Sequence, residues 1–92
     1  MVKYIKAKWF HDEKDYPVEI YSEVDNERYE LRKVEIFRDG NAGYADEKRN
    51  SGNTLLGESP MPRLNEINSD NEFSAQEISL DDFESIWNKF YF

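Results

Sequence analysis

The sequence contains no cysteine, one histidine, four glycines and three prolines among its 92 residues. Without cysteine the chain has no disulfide framework, thiolate nucleophile or thiolate zinc site, a composition that suits a reducing compartment and predicts a cytoplasmic protein. One imidazole is too few for a typical zinc site, and the stretch SGNTLLG lacks the glycine spacing and the lysine of a phosphate loop. We therefore expect no metal and no cofactor.

Long hydrophobic runs are missing as well. The stretch MVKYIKAKWF, residues 1–10, carries three lysines between apolar residues, so we expect no secretory signal, and no later run approaches membrane-spanning length. Ninety-two residues fit one small domain, residues 1–92. Its core must come largely from the 6 Phe, 6 Tyr and 2 Trp.

Acidic residues outnumber basic ones, 20 to 12, and give a net charge of -8. The imbalance lies mainly in the second half: residues 1–49 hold 12 acids and 10 bases, whereas residues 50–92 hold 8 acids and 2 bases. An acidic field of this size repels phosphate backbones, which argues against direct nucleic-acid binding, and it speeds the encounter with a basic protein. Acidity that serves solubility alone is the alternative interpretation.

Two stretches near the start, VKYIKAKWF and VEIYSEV, alternate apolar and polar residues and predict two strands. The residues predicted to face inward are Ile5, Ala7, Trp9, Val18, Ile20 and Val24. If the strands pair antiparallel, the remaining side chains form a solvated face with cross-strand ion pairs. These are Tyr4, Lys6, Lys8, Glu19, Tyr21 and Glu23.

The next part of the chain predicts a hairpin. Asp39-Gly40 indicates a tight turn that needs a positive φ at the glycine. Before this turn the apolar alternation changes phase, which requires a bulge or bend near residues 32–33. A further short strand is predicted at residues 54–56, TLL.

Helix signals follow Gly57. RLNEIN, after two prolines, predicts a short helix that ends near Ser69, and the capping-box spacing of Ser74 and Glu77 in FSAQEI indicates another helix start. Ser79 caps the last helix, whose apolar stripe is Phe83, Ile86, Trp87 and Phe90. Strands first and helices after predict an α+β fold: an antiparallel sheet of three to five strands with a C-terminal helix packed on one face.

The stretch HDEKDYP, residues 11–17, places the one histidine beside three acids, as a proton shuttle or a metal site would require. The same stretch has Asp, Lys and Pro between two apolar runs, which is typical of an exposed connection. We favour the connection, with His11 as a solvated or capping side chain, and expect no enzyme activity. An enzyme that uses His11 with a neighbouring acid is the alternative left open.

Several predicted surface tyrosines lie beside acids, a combination that protein interfaces use because aromatic side chains supply much of their binding energy. The alternative is that each tyrosine is a half-buried sheet residue with its hydroxyl in water. The candidate partner-binding residues are Asp12, Glu13, Asp15, Tyr16, Glu19, Tyr21, Glu23, Tyr44, Asp46 and Glu47.

Three stretches, YIKAKWFHDEKDYPVEIYSEVDNERYELRKVEIFRDGNAGYADE, NTLLGESPMPRLNEIN and EISLDDFESIW, together resemble a bacterial domain family of unknown function. Some members of that family are encoded beside polymorphic or contact-dependent toxins. The resemblance therefore implies an immunity protein, an antitoxin that blocks a toxin's C-terminal domain and so protects against contact-dependent growth inhibition. The family offers no catalytic residues to carry over, and its HD and DG positions, here His11-Asp12 and Asp39-Gly40, are interpreted equally well as fold determinants.

The negative charge of the chain fits the immunity function that the resemblance implies, because a nuclease active site is basic and its inhibitor should be acidic. We expect the acids and tyrosines of the first loop and of the outer sheet face to occlude a basic cleft on a toxin nuclease. The alternative is a small regulatory or adaptor domain that binds a host protein with no toxin involved. The oligomeric state is left open.

Overall fold

The computed structural model describes residues 1–91, and within them five strands and two helices form. The strands pair antiparallel in the order β4-β3-β2-β1-β5, and α2 packs on one face of the sheet. This is the predicted α+β fold. The predicted single domain, residues 1–92, includes Phe92, which lies outside the described residues. The elements are β1 Lys3–Trp9, β2 Glu19–Val24, β3 Glu30–Ile36, β4 Ala42–Ala45, α1 Leu64–Asn68, β5 Phe73–Ile78 and α2 Leu80–Phe90.

The register of β1 against β2 confirms the predicted pairing and the shared face. The pairs Tyr4 with Glu23 and Lys6 with Tyr21 lie directly opposite each other on the two strands. Lys6 also reaches Glu19 along this face, with 3.8 Å between Nζ and Oε2. Alternation along each strand was therefore enough to group these side chains.

The face predicted to be solvated is nevertheless the face that α2 covers. Tyr21 is only 7% exposed and belongs to a core cluster with Val34, Phe83 and Trp87. The ring of Tyr4 also lies on this cluster, with its centroid 5.3 Å from that of Phe83. The prediction was wrong because the sheet is covered on both faces, and alternation alone does not say which face the helix takes.

The opposite face carries the second core cluster. Ile5 and Val24, both predicted to face inward, are buried there with Ala75 of β5. Leu64 and Ile67 of α1 pack against this cluster. The short helix predicted from RLNEIN thus forms, and it covers the part of the sheet near β5.

The predicted β3–β4 hairpin is confirmed. Gly40 has a φ of +90°, its N–H donates to the carbonyl of Phe37 at 2.9 Å, and the N–H of Phe37 donates to the carbonyl of Asn41 at 2.8 Å. The predicted bulge is present one position earlier than expected. Arg32 lies opposite Glu23 while Glu30 lies opposite Val24, so the extra residue of β3 is 31.

Two predicted elements are wrong. Residues 54–56 are irregular, and Thr54 is buried with its Oγ1 donating to Glu35 Oε1 at 2.8 Å. FSAQEI does not begin a helix but forms β5, because pairing with β1 along its length outweighs a local capping-box spacing.

The last helix forms as predicted. Ser79 Oγ accepts a hydrogen bond from the N–H of Asp82 at 3.0 Å and so caps the first turn. Phe83 and Trp87 of its apolar stripe are buried, and Ile86 and Phe90 pack beside them. The packing of this apolar stripe holds α2 across the sheet.

Candidate protein-binding surface

The first loop, residues 10–18, lies at the end of the sheet where β1 stops and β2 starts. The N–H of Val18 donates to the carbonyl of Ile36 at 2.8 Å, and the guanidinium of Arg38 donates to the carbonyl of His11. The β3–β4 turn therefore lies beside this loop. The two connections together form one end of the molecule.

His11 organises the loop from within. Its Nδ1 accepts the N–H of Glu13 at 3.0 Å, and its Nε2 donates to the carbonyl of Pro17 at 2.8 Å. This pattern requires the tautomer that carries its proton on Nε2. His11 is thus a capping side chain, one of the two roles expected for it, and it fixes the loop's path at residues 13 and 17.

An aromatic stack supports the loop. The ring of Trp9 lies between Phe73 and Tyr16, with centroid separations of 5.4 Å on both sides and interplanar angles of 19° and 25°. The imidazole of His11 meets Trp9 edge-on at 4.6 Å. Tyr16 is therefore held on a base formed by two strands, although its own side chain is 52% exposed.

Phe10 gives this end a second exposed aromatic side chain. It is 55% exposed, and its backbone N–H donates to the carbonyl of Glu72 at 2.7 Å, so its backbone is fixed at the end of the β1–β5 ladder. The sequence argument did not select Phe10 as a binding residue. The available signal was the apolar residue that directly follows the alternating strand, beside a charged loop.

The exposed side chains at this end include the bases Lys14 and Arg38, and we call six of the others the loop-end surface. Two aromatic side chains stand among four acids, and all six are exposed. Such an arrangement combines large apolar contact area with a negative field, two properties of binding surfaces for basic proteins. The loop-end surface consists of Phe10, Asp12, Glu13, Asp15, Tyr16 and Asp39.

The predicted sheet-face residues are not part of this surface. Tyr21 is buried beneath α2, so its predicted exposure is wrong. Burial raises the pKa of the Tyr21 hydroxyl, and the nearby Glu19 adds to the effect. Glu19 is half-buried on the same face, where Lys6 lies close to it.

Glu23 is committed to an internal contact. Two hydrogen bonds from Arg32 hold the pKa of the Glu23 carboxyl below its usual value, against the opposing effect of burial. The guanidinium of Arg32 also lies over the rings of Phe83 and Trp87, 4.8 and 5.1 Å from their centroids. The charge of Glu23 is thus compensated inside the fold rather than offered to a partner.

The remaining predicted residues lie around the turn after β4. Tyr44 is half-buried, with its ring centroid 4.9 Å from that of Tyr91, whereas Glu47 is exposed. Burial opposes ionisation of Asp46, but the backbone N–H groups of Arg49 and Lys48 keep its pKa below the usual value.

This turn lies away from the loop-end surface. Ala45 pairs with Lys33, near the middle of β3. The first loop instead contacts Ile36, the last residue of β3. The structure thus brings Asp12, Glu13, Asp15 and Tyr16 together. Glu19 borders this group, since it lines one cavity with Phe10 and Asp12, and the other five predicted residues lie on a covered face or at a second turn.

Across residues 1–91, no three His, Asp or Glu side chains converge in an arrangement that could hold a metal ion. Neither helix of this part of the chain has the length and apolar character needed to cross a membrane.

Residues 3–92 match the family model described as Domain of unknown function (DUF6881). The chain belongs to the DUF6881 family. The match spans nearly the whole sequence, as the predicted resemblance did, and it confirms a domain family of unknown function; the bacterial and toxin associations stay predictions. No curated protein and no solved structure matches this DUF6881 chain.

Proposed function

We propose that this DUF6881 protein is a cytoplasmic bacterial immunity protein that binds a basic toxin domain, a nuclease, and neutralises it by occlusion. The observation that carries the proposal is the loop-end surface, where Phe10 and Tyr16 are both more than half exposed among four acids. Isolated exposed aromatics are common on proteins. A pair of exposed rings at the end of the sheet, among four acids and the two exposed bases Lys14 and Arg38, is a more specific arrangement.

The rigidity of the surface supports tight binding. Tyr16 stacks on Trp9, and the hydrogen bonds of His11 fix the loop that carries the acids. Because these groups are already ordered, binding costs little additional conformational entropy. A rigid acidic surface can therefore serve as a substitute for the nucleic-acid backbone in a basic cleft.

Charge accounts for the speed that such a function needs. A net charge of -8 draws a basic domain towards the protein, and the acids of the loop-end surface orient the encounter. The exposed rings then supply contacts that do not depend on salt. Binding alone is the function, with no chemical step carried out by the protein.

The experiment is affinity capture from the source organism's lysate at low and moderate salt, read by mass spectrometry, with a Phe10→Ala, Tyr16→Ala variant as the matched control. We expect one stoichiometric basic protein with a nuclease domain, retained at moderate salt by the wild type and lost by the variant. The purified protein should then inhibit that nuclease at a one-to-one ratio.

Other results would contradict the proposal. Capture of a housekeeping protein that has no toxin domain would favour the adaptor function instead. A captured nuclease that stays fully active in the complex would refute neutralisation. Equal capture by the wild type and the variant would show that the loop-end surface is not the interface.

A further inference from the structure

A cleft lies on the face of the sheet opposite α2, between the sheet and the segment that contains α1. Its volume is about 450 Å³, within the range of roughly 300–1,000 Å³ that small-molecule sites occupy. We call it the α1-side cleft. Its apolar walls include Ile5, Ile67 and Phe73, and its polar groups include Ser22, Glu66 and Asp70.

Ser22 is the first sign of a ligand. It lies in the central strand β2, it is 1% exposed, and its Oγ has no hydrogen-bond partner among the described residues. Its cross-strand neighbours are Ile5 on one side and Lys33 on the other. A buried hydroxyl without a partner is costly, and a polar group of a ligand in the cleft would satisfy it.

The charges around the cleft are the second sign. Lys33 is already engaged, with its Nζ 3.0 Å from Glu30 Oε1 and 3.2 Å from the carbonyl of Leu55. Glu66 and Asp70 are exposed at the rim; Asp70 Oδ1 accepts the N–H of Glu72 at 2.9 Å, and neither carboxylate meets a cation within residues 1–91. The cleft therefore combines an apolar interior with an uncompensated negative rim.

We propose that the α1-side cleft binds a small amine with an aromatic or branched apolar body. The body lies against Ile5, Ile67 and Phe73, and the cationic nitrogen lies at Glu66 and Asp70. A polar N–H or O–H group of the body pairs with the Ser22 hydroxyl. This site contains no residue of the loop-end surface, although its Phe73 belongs to the stack that supports Tyr16, and its test does not depend on the immunity function.

The test uses three probes with the same indole ring and different charge: tryptamine as the cation, indole as the neutral molecule and indole-3-acetate as the anion. Each is titrated into the isotope-labelled protein and followed by amide chemical shifts. We expect tryptamine to move the amides around Ser22 and Ile67, and to bind at least tenfold more tightly than indole-3-acetate. Indole should lie between the two.

Two variants separate the parts of the proposal. The double change Glu66→Gln, Asp70→Asn keeps the shapes of the rim side chains and should reduce tryptamine affinity to that of indole. Ser22→Ala should weaken binding of both tryptamine and indole several-fold without loss of stability, because it removes an unpartnered hydroxyl. Glu27→Gln, an exposed acid outside the cleft, is the matched control and should change nothing.

Three results would overturn the proposal. If none of the three probes changes the amide chemical shifts around the cleft at millimolar concentration, the cleft is not a ligand-binding site. Equal binding of indole-3-acetate and tryptamine would refute the preference for a cation. Unchanged tryptamine affinity in the rim variant would remove the role of Glu66 and Asp70.

Discussion

Arg32 of β3 makes a bidentate ion pair with Glu23 of β2. Its Nε donates to Oε1 at 2.8 Å, and its Nη2 donates to Oε2 at 2.9 Å. The same Nη2 also donates to Glu84 of α2. Because its plane covers the rings of Phe83 and Trp87, this one side chain ties the helix to the sheet by charge and by contact.

The first prediction concerns the ion pair of Arg32 with Glu23. Glu23→Gln should lower the free energy of unfolding by about 2 kcal/mol at pH 7, because charged hydrogen bonds to a poorly exposed guanidinium are weakened. The pKa of Glu23 lies below its ordinary value of 4.5 in the folded state, so the stability it contributes is present above pH 4.5 and is lost as pH falls through the folded pKa. Urea unfolding at pH 7 and at pH 3 measures both effects.

The matched control for this ion pair is Glu27→Gln. The carboxylate of Glu27 is exposed and has no partner in the described part of the chain. This variant should change stability by less than about 0.5 kcal/mol at either pH. A Glu23→Gln effect of the same size at pH 3 as at pH 7 would show that the lost stability is not that of an ionised carboxylate.

The second prediction concerns the edge of the sheet at β5. The side-chain amide of Asn68 bonds both backbone groups of Ala75: Nδ2 donates to the carbonyl at 2.9 Å, and Oδ1 accepts the N–H at 2.6 Å. Asn68 thus occupies the hydrogen-bonding positions that another strand would use. Asn68→Ala should cost about 1–3 kcal/mol and promote self-association through β5.

Chemical unfolding and light scattering after gel filtration measure these two consequences. Asn65→Ala, on the same helix but with an exposed side chain that makes no hydrogen bond among residues 1–91, is the control and should remain like the wild type. A destabilised Asn68→Ala protein that shows the wild-type oligomeric state at every concentration would refute the protective role.

The third prediction concerns close packing at Gly43 of β4. A Cβ at this position would lie 2.2 Å from Thr54 Oγ1 and 3.1 Å from Thr54 Cβ. Gly43→Ala should therefore destabilise the protein by about 1–3 kcal/mol, as overpacking does. The hydroxyl causes most of the clash, so Thr54→Ala combined with Gly43→Ala should cost less than the sum of the two single changes. Additive costs in urea unfolding would exclude this contact as the cause.

The fourth prediction tests charge at the loop-end surface. Changing Asp12, Glu13 and Asp15 together to Lys should slow association with the basic partner at least tenfold and flatten its dependence on salt. A matched control changes Glu27, Glu58 and Glu77, exposed acids elsewhere, by the same total charge. Stopped-flow mixing at several salt concentrations separates the two. Equal slowing by both variants would mean that net charge, and not this surface, steers the encounter.

Local signals predicted the parts of the fold that depend on local energy. The Ser79 cap, the stripe of α2 and the glycine of the β3–β4 turn are set by neighbours within a few residues in the chain, and all three were confirmed. The shared face of Tyr4 and Glu23 was also predictable, since alternation fixes it once two strands pair.

Contacts between distant segments were not predictable. FSAQEI is a strand because β1 lies beside it, and the local sequence of Ser74 and Glu77 says nothing of β1. Tyr21 is buried because α2 lies over it, on the face that alternation left undecided. Of the candidate interface, the charged loop was found from its acids, whereas Phe10 was missed because its one signal, an apolar residue between a strand and a charged loop, is weak.

The position of β5 has a consequence for how the chain folds. β1 lies between β2 and β5, and its partners on β5 are far away in sequence, 64 residues for Trp9 with Phe73 and 74 residues for Tyr4 with Ile78. The four strands from β1 to β4 can pair one after another through short connections. The β1–β5 ladder instead closes a loop of most of the chain, and such closure is slow. During synthesis the open edge of β1 therefore stays unpaired until residue 78 has left the ribosome, and this interval is when the nascent chain is most prone to aggregate.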